Sequence, residues 1–520
     1  MTELNALYQK ALTLVEQKQY QQAHHCLLTI LKQDRQFARA YYLLAIIASD
    51  HHNVVKAIEL AEKASQLSKQ GAPLVLQAKL YLRLHDHVKA KYVAQQALTL
   101  AALTYAEWDD LGVVFSQMGD HFQAIRCFEQ AEQALAKLPQ TPQHAQLCVN
   151  LAAAYKFNGQ FEQAIASYRR ALAQDPKLYS AYWGLASMPE SQLAGDIGRL
   201  TGYLQHATDA DDTLYLAHSL SRQYEHQGDF AKAWQLLTKP KQRKKAQCGY
   251  HISRDQQLFS ALKASFNKSS INLDSGCDSD EPIFIVGMPR TGTTVIERLL
   301  TQSNNIFSAG EMQHFAIALK QQTQVTSPAL LDEATINAAH SIDWRQLGGN
   351  YLAKTRSITG HTPRFIDKMP TNFLYIGFIL QALPKAKVIC LQRSEQDTII
   401  SNYRQLFASD FWFYQYSYDI NDCQSYYHLF TELMGYWQQL FANNIYCLNY
   451  ESFVHNPAVE APKLFDFIGE TWQPLYLDLQ HNRAPVATAS AAQVRDGITA
   501  KSVGFWRHYQ QQLTQALDAN

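Results

Sequence analysis

The chain has 520 residues, with Lys+Arg and Asp+Glu equal at 46 each. A formal charge of zero excludes the basic excess of a dedicated nucleic-acid binder and leaves room for a local basic pocket. Hydrophobic residues at 47%, with 60 aromatics, exclude global disorder. At about 150 residues per domain, the length suggests three or four units unless repeats intervene. The start, MTELNALYQK, lacks a basic segment followed by an apolar core. The longest compact apolar run, Tyr41–Ala48, is less than half a membrane span. Eight Cys are scattered, the closest pair (Cys127 and Cys148) 21 residues apart. That spacing disfavours thiolate metal sites and suits reduced, buried thiols. The expectation is a soluble, cytoplasmic protein with no membrane span, no nucleic-acid partner and no metal.

The N-terminal half is periodic. GQFEQAIASYRRAL (Gly159–Leu172) and GDHFQAIRCFEQAE (Gly119–Glu132) each place Gly five residues before Ala and an aromatic four after it. Upstream, Leu111 and Leu151 each precede that Ala by 13 residues. Weaker copies centre on Ala23, Ala57 and Ala90, so the spacings run 34, 33, 34 and 40. The six extra residues fall in AKLPQTPQ at 136–143, a loop insertion. A further copy, Gly228-Asp229-Phe230 with Ala233, lies 69 residues on, which predicts a degenerate repeat near Ser191–Asp209.

The pattern resembles the tetratricopeptide repeat. Each such repeat is a pair of amphipathic helices that cannot bury its apolar face alone, so the units stack into a solenoid. An all-α solenoid is expected over residues 1–250. Its concave face suits an extended acceptor peptide, protein or glycan, and a homodimer is the competing use of the same surface. The pairs His24-His25 and His51-His52 are adjacent along the chain and cannot face one metal.

Residues 265–281 are small and polar and read as a linker, with a second domain over 282–520. That domain opens on an apolar strand, Ile283–Val286, then Gly287-Met-Pro-Arg-Thr-Gly292-Thr293-Thr294, then residues at helical spacing. Strand, glycine loop and helix form an anion cradle, in which backbone N–H groups and the helix dipole face a phosphate. The glycine spacing matches the nucleoside-triphosphate loop, but Thr293 stands where that loop has Lys. The cation sits inside the loop as Arg290, which points to a phosphate ligand without a γ-phosphoryl group. A second unit repeats the logic: the strand Ala386–Leu391 delivers Arg393, and Ser401 follows eight residues later in a predicted helix 397–407. Together they suit one more phosphate.

PIFIVGMPRTGTT resembles the 5′-phosphosulfate loop of sulfotransferases, and VICLQRSEQDTIIS resembles their 3′-phosphate site. With the repeats, the chain resembles bacterial tetratricopeptide-repeat sulfotransferases, its catalytic half being most similar to tyrosylprotein sulfotransferases. The resemblance implies an α/β P-loop-like three-layer domain with a parallel sheet. It implies the donor 3′-phosphoadenosine 5′-phosphosulfate (PAPS), the product PAP and no metal. It also assigns residues. Arg290, Thr291, Gly292, Thr293 and Thr294 would hold the 5′-phosphate, and Arg393 and Ser401 the 3′-phosphate. Glu311, after the short strand Asn305–Ser308, would be the base. Lys368, in Asp367-Lys-Met-Pro370, would stabilise the leaving phosphate and the sulfuryl oxygens together with Arg290. Ser490, in Ser-Ala-Ala-Gln493-Val494, would bond the donor near the sulfuryl. Tyr450, after a strand at Asn444–Leu448, would lie beside the adenosine. Lys501 and Ser502 would belong to a segment closing over the donor. Tyrosylprotein enzymes carry a second Arg twelve residues after the first; here that position is Gln405, with Arg404 adjacent. The acceptor stays open between a peptide tyrosine and a carbohydrate or small molecule. The aromatic stretch Ser409–Tyr418 is either part of that pocket or core. The competing readings are a nucleotide kinase of the same fold and a protein-binding scaffold with a non-catalytic nucleotide site.

Overall fold

The computed structural model describes residues 2–100, 102–136, 142–189, 192–269, 271–408, 412–479 and 497–518. The chain packs as two compact units, Met1–Asp175 and Pro176–Asn520.

Among the described residues, the first unit has ten helices: α1 (Thr2–Glu16), α2 (Tyr20–Gln33), α3 (Ala38–Asp50), α4 (Val54–Leu67), α5 (Gly71–Arg83), α6 (His87–Leu98), α7 (Tyr105–Gln117), α8 (His121–Leu135), α9 (Pro142–Phe157) and α10 (Phe161–Gln174). They pack as successive pairs, which is the expected solenoid. Ala23, Ala57, Ala90, Ala124 and Ala164, which set the period, are all fully buried. A small residue there lets the two helices of a pair approach closely. Gly112 shows the same constraint, because a Cβ at that position would meet the Phe128 ring at 2.4 Å.

The faintness of the first three repeats has a backbone explanation. The position five residues before each period Ala has a left-handed backbone in every copy: Lys18 (φ 57°), His52 (59°), His85 (55°), Gly119 (78°) and Gly159 (80°). The turn is the same throughout. Only the later copies mark it with the residue that adopts it without strain.

The second unit begins with helices as well: α11 (Tyr179–Ala186), α12 (Ile197–His206), α13 (Ala210–His226), α14 (Phe230–Cys248) and α15 (Ile252–Ser265). A 3₁₀ turn (Ala194–Asp196) and the short α12 occupy the stretch where a degenerate repeat is expected. Helices α13 and α14 repeat the pattern, with Gly228 at φ 80° and Ala233 fully buried. The polar residues after α15 are tied to the sheet-bearing part of the chain: the Cys277 N–H donates to Ala382 O (2.8 Å) and the Asn272 N–H to Gln381 Oε1 (2.9 Å).

Five parallel strands form one sheet: β1 (Pro282–Gly287), β2 (Ile306–Ser308), β3 (Arg364–Asp367), β4 (Lys387–Gln392) and β5 (Ile445–Asn449), in the order β2-β3-β1-β4-β5. β3 has no counterpart in the sequence reading, because Phe365-Ile366 is too short an apolar run to stand out. Helix α16 (Thr293–Leu300) follows β1 directly. The helix expected at 397–407 spans Glu395–Tyr403, and the chain leaves it at Arg404. Among the described residues, no helix is long and apolar enough to cross a membrane.

Asp367 ends β3 inside the core. The Tyr351 hydroxyl donates to one of its oxygens (2.9 Å) and Asn372 Nδ2 to the other (3.2 Å). Burial pushes its carboxyl up to about 7. The folded state therefore keeps this proton longer than the unfolded chain does. Asp367 costs stability progressively as pH rises from about 4 to about 7. The Asp367→Asn variant keeps one oxygen to accept the Tyr351 hydroxyl and cannot ionise, at the fixed cost of losing an acceptor for Asn372. Its melting temperature should gain on the wild type as pH rises from 5 to 8, by the equivalent of roughly 2–4 kcal/mol. A gap that stays constant with pH would show that the carboxyl ionises lower. In the first unit, Gly112→Ala should cost roughly 1–3 kcal/mol by overpacking against Phe128, read as a lowered melting temperature.

Candidate active site

The parallel ladder brings the chemistry to one edge. β1 and β4 pair through Gly287↔Leu391, so the glycine loop and Arg393 emerge side by side. β4 and β5 pair through Gln392↔Asn449, which places Tyr450 next in line. On the other side, β3 pairs with β1 at Asp367↔Phe284 and with β2 at Ile366↔Ser308. The ladder then runs one step past the strands, with the Lys368 N–H donating to Gly310 O at 2.9 Å. Glu311 and Lys368 thus leave the same edge as the loop. Ligands of parallel α/β sheets bind at this edge.

A cavity of about 270 Å³ opens there. Arg290, Gly292 and Thr294 line it from the glycine loop and α16. Arg393, Ser401 and Arg404 line it from β4 and the helix after it, and Tyr450 from beyond β5. Lys501 and Ser502 line it from the C-terminal segment, and Arg222 from α13. None of the described lining residues is acidic. Burial, and then the neighbouring guanidiniums of Arg222, Arg393 and Arg404, push the Arg290 guanidinium down to about 9. Like charges gathered this closely are a cradle for a multivalent anion.

The loop is shaped for close approach. Arg290 (φ 68°) and Gly292 (φ 102°) are left-handed, and a Cβ on Gly292 would strike the Tyr450 ring at 2.4 Å. The Thr291 hydroxyl donates back to Met288 O (2.7 Å), so this side chain braces the loop and does not line the cavity. Thr293 is buried and also lies outside the lining. Arg393 Nη1 donates to Arg290 O (3.0 Å), Nη2 donates to Ser502 O, and the guanidinium lies 5.1 Å from the Tyr450 ring centroid. Its Nε is buried without a hydrogen-bond partner among the described residues. A buried, unsatisfied guanidinium nitrogen beside the cavity fits a ligand phosphate oxygen.

The C-terminal segment is held over the pocket. Asp397 accepts the backbone N–H groups of Gly504 (2.7 Å) and Trp506 (3.0 Å), and Tyr450 Oη is 3.2 Å from Ser502 Oγ. Phe505 and Tyr509 pack against Phe230 of α14, with ring centroids 6.1 Å and 5.3 Å away. The sequence pattern carries no sign of Asp397 in this role, since an Asp in the first turn of a helix already has an ordinary explanation.

The second cluster sits beside the cavity rather than in its lining. Lys368 is 1% exposed, and its ammonium donates to Glu311 Oε1 and lies 3.7 Å from Glu297 Oε2. Burial alone would lower its pKa, but Glu311 and Glu297 outweigh that and hold it raised. The lysine therefore stays charged, and Asp367, bonded to Tyr351 and Asn372, is not its counterion. Glu311 is 38% exposed, as a group that must reach a substrate would be. Glu297, on α16, also accepts the Ser308 hydroxyl. The sequence reading missed Glu297; beside Arg298 in VIERLL it looks like an ordinary helix charge. Burial, and then the Glu311 carboxylate, raise the Tyr414 phenol, whose ring stacks on Phe407 at 4.5 Å. The rest of the aromatic stretch is mostly core, with Phe413, Tyr416 and Tyr418 buried. Ser490 lies outside the described residues.

Residues 282–474 match the model of the sulfotransferase family, and residues 8–72 and 102–177 match tetratricopeptide-repeat models. An uncharacterized protein of Aquifex aeolicus (strain VF5) is 29% identical over 306 residues, 58% of this chain and 40% of its own length. The anaphase-promoting complex subunit 6 of Arabidopsis thaliana is 34% identical over 108 residues, 20% of this chain and 19% of its own length. The chain thus spans 40% or less of these relatives. Similar solved structures include pilF of Pseudomonas aeruginosa (TM-score 0.31, 15% identity, 40% of this chain and 92% of that one). Another is the C-terminal part of a tetratricopeptide-repeat protein from Cytophaga hutchinsonii (TM-score 0.33, 16% identity, 44% and 93%). The chain joins tetratricopeptide repeats in its N-terminal half to a sulfotransferase-family domain in its C-terminal half.

Proposed function

We propose that the protein transfers the sulfuryl group of PAPS to an acceptor hydroxyl, with residues 1–250 as the repeat array and 282–520 as the catalytic domain. The observation that carries this reading is the cavity with Arg222, Arg290, Arg393, Arg404 and Lys501 on its walls and no acidic residue among its described lining. PAPS brings a 3′-phosphate and a 5′-phosphosulfate, two anionic groups for one cationic pocket, and no γ-phosphoryl that would call for the missing loop lysine. In this reading Arg290, Gly292 and Thr294 hold the 5′ end, Arg393 and Ser401 the 3′-phosphate, and Tyr450, Lys501 and Ser502 enclose the nucleotide.

The reaction exchanges one S–O bond for another. The acceptor oxygen bonds to sulfur as the bond from sulfur to the bridging phosphate oxygen breaks. Glu311 takes the hydroxyl proton, and PAP leaves carrying the negative charge released by the donor. Lys368 and Arg290 stabilise the charge that builds on the leaving phosphate and the sulfuryl oxygens. The ion pair of Lys368 with Glu311 holds both groups at the sheet edge before substrate arrives. Glu297 still neighbours the lysine when Glu311 turns to the acceptor. The Tyr414 ring, stacked on Phe407 and near enough to Glu311 to feel its charge, suits a planar acceptor, and a peptide tyrosine is the acceptor we place first. The repeat array would then present the peptide or protein that carries it.

Titration calorimetry of PAP into the purified protein should show binding at micromolar or better, lost in Arg393→Ala, with no matching response to ATP. Silence with PAP would sink the donor assignment, and binding of ATP in its place would favour a kinase. With labelled PAPS and a tyrosine peptide or 4-nitrophenol as acceptor, Glu311→Ala and Lys368→Ala should each lower kcat by about 10²–10³ or more. Near-normal turnover in either variant removes that residue from the mechanism.

A further inference from the structure

Arg222 belongs to helix α13, not to the sheet, yet it lines the donor cavity with Arg290, Arg393 and Arg404. Its side chain is 24% exposed and its Nη1 donates to Glu225 Oε2 one turn later, at 3.1 Å. Glu225 is more deeply buried and carries a larger load. It also accepts both guanidinium contacts of Arg404 and the Tyr509 hydroxyl. One carboxylate behind the wall therefore serves two guanidiniums, and one positive charge is left over for the cavity. Arg404 directly follows the helix bearing Ser401, three residues away and on the same face. Its guanidinium lies over Phe505 (4.1 Å) in the segment that covers the pocket.

We propose that Arg222 is a phosphate-binding residue of the donor pocket. It acts at the end held by Arg393, Ser401 and Arg404, so that the α13–α14 hairpin forms one wall of the nucleotide site. The inference rests on the donor reading above and extends it to residues far upstream of the sulfotransferase-family segment at 282–474. A guanidinium held in place by its own helix is already desolvated and oriented, so it binds a phosphate without ordering a free side chain. The single carboxylate behind it fixes that orientation while only partly cancelling the charge.

Calorimetry with PAP on the full chain tests it, using Arg222→Ala, Arg222→Lys and Glu225→Gln, each checked by thermal melting. Arg222→Ala should weaken PAP by about tenfold to a hundredfold, the size of a lost charge-assisted hydrogen bond to phosphate. Arg222→Lys should recover part of that loss. Glu225→Gln weakens the anchor but also removes a negative charge from behind the wall, and should weaken PAP by clearly less than Arg222→Ala does. An unchanged Kd in Arg222→Ala overturns the proposal. So does equal weakening in Arg222→Ala and Glu225→Gln, which would make the cluster a structural brace. Should Arg222→Ala fail to fold, the Lys variant decides: weakened PAP binding with an unchanged melting temperature supports the contact, and wild-type affinity overturns it. A wild-type protein that ignores PAP would instead overturn the donor reading itself, a failure seen before any variant is made.

Discussion

Everything at the site depends on the parallel hydrogen-bond ladder around β1. In a parallel sheet every strand points the same way, so every chain exit lies on one edge. β1 takes the centre, with β3 and β4 as its neighbours. That one choice puts the glycine loop between Lys368 on one side and Arg393 on the other. No side-chain interaction is needed to gather these groups. Their convergence follows from strand direction and register, and a one-residue slip in β3 would turn Lys368 away from Glu311.

The same edge separates two electrostatic environments. The cavity gathers cations with no carboxylate among its described lining residues, and their mutual repulsion is what a bound polyanion would relieve. A few residues away, Lys368 is balanced by Glu311 and Glu297, so it stays charged although it is buried. The first arrangement suits binding, and the second suits proton transfer and charge stabilisation. Glu225 shows how the protein limits the repulsion, with one buried carboxylate set behind the wall to anchor two guanidiniums.

Much of this was legible in the sequence wherever the signal was local. The period Ala positions, the glycine loop, and the strands delivering Arg393 and Tyr450 follow from spacing and apolar runs, and Glu311 and Lys368 from family likeness. The structure brings Arg290, Gly292, Thr294, Arg393, Ser401, Tyr450, Lys501 and Ser502 to one cavity and pairs Glu311 with Lys368. It turns the Thr291 hydroxyl inward instead. What the sequence hid was non-local or too short to register. β3 offers only two apolar residues, its stability coming from neighbours on both sides. Arg222 and Glu225 look like ordinary surface charges of a repeat helix, and only the packing of α13 gives Glu225 a partner 179 residues away in Arg404. The early repeats are faint because Lys18, His52 and His85 adopt the turn that glycine marks elsewhere.

The hydrogen bond from Tyr509 to Glu225 joins residues 284 positions apart. Proteins are made from the N-terminus onward, at about 5–20 residues per second. Glu225 therefore leaves the ribosome roughly a quarter of a minute to a minute before Tyr509 does. Through that interval the hairpin holds a carboxylate whose eventual hydroxyl partner has not been made. The sheet can form once β5 has emerged, but the segment over its edge has to wait for residues 501–509. The cationic pocket is thus completed only after the sheet, and a polypeptide halted before residue 500 would have a sheet without its pocket cover.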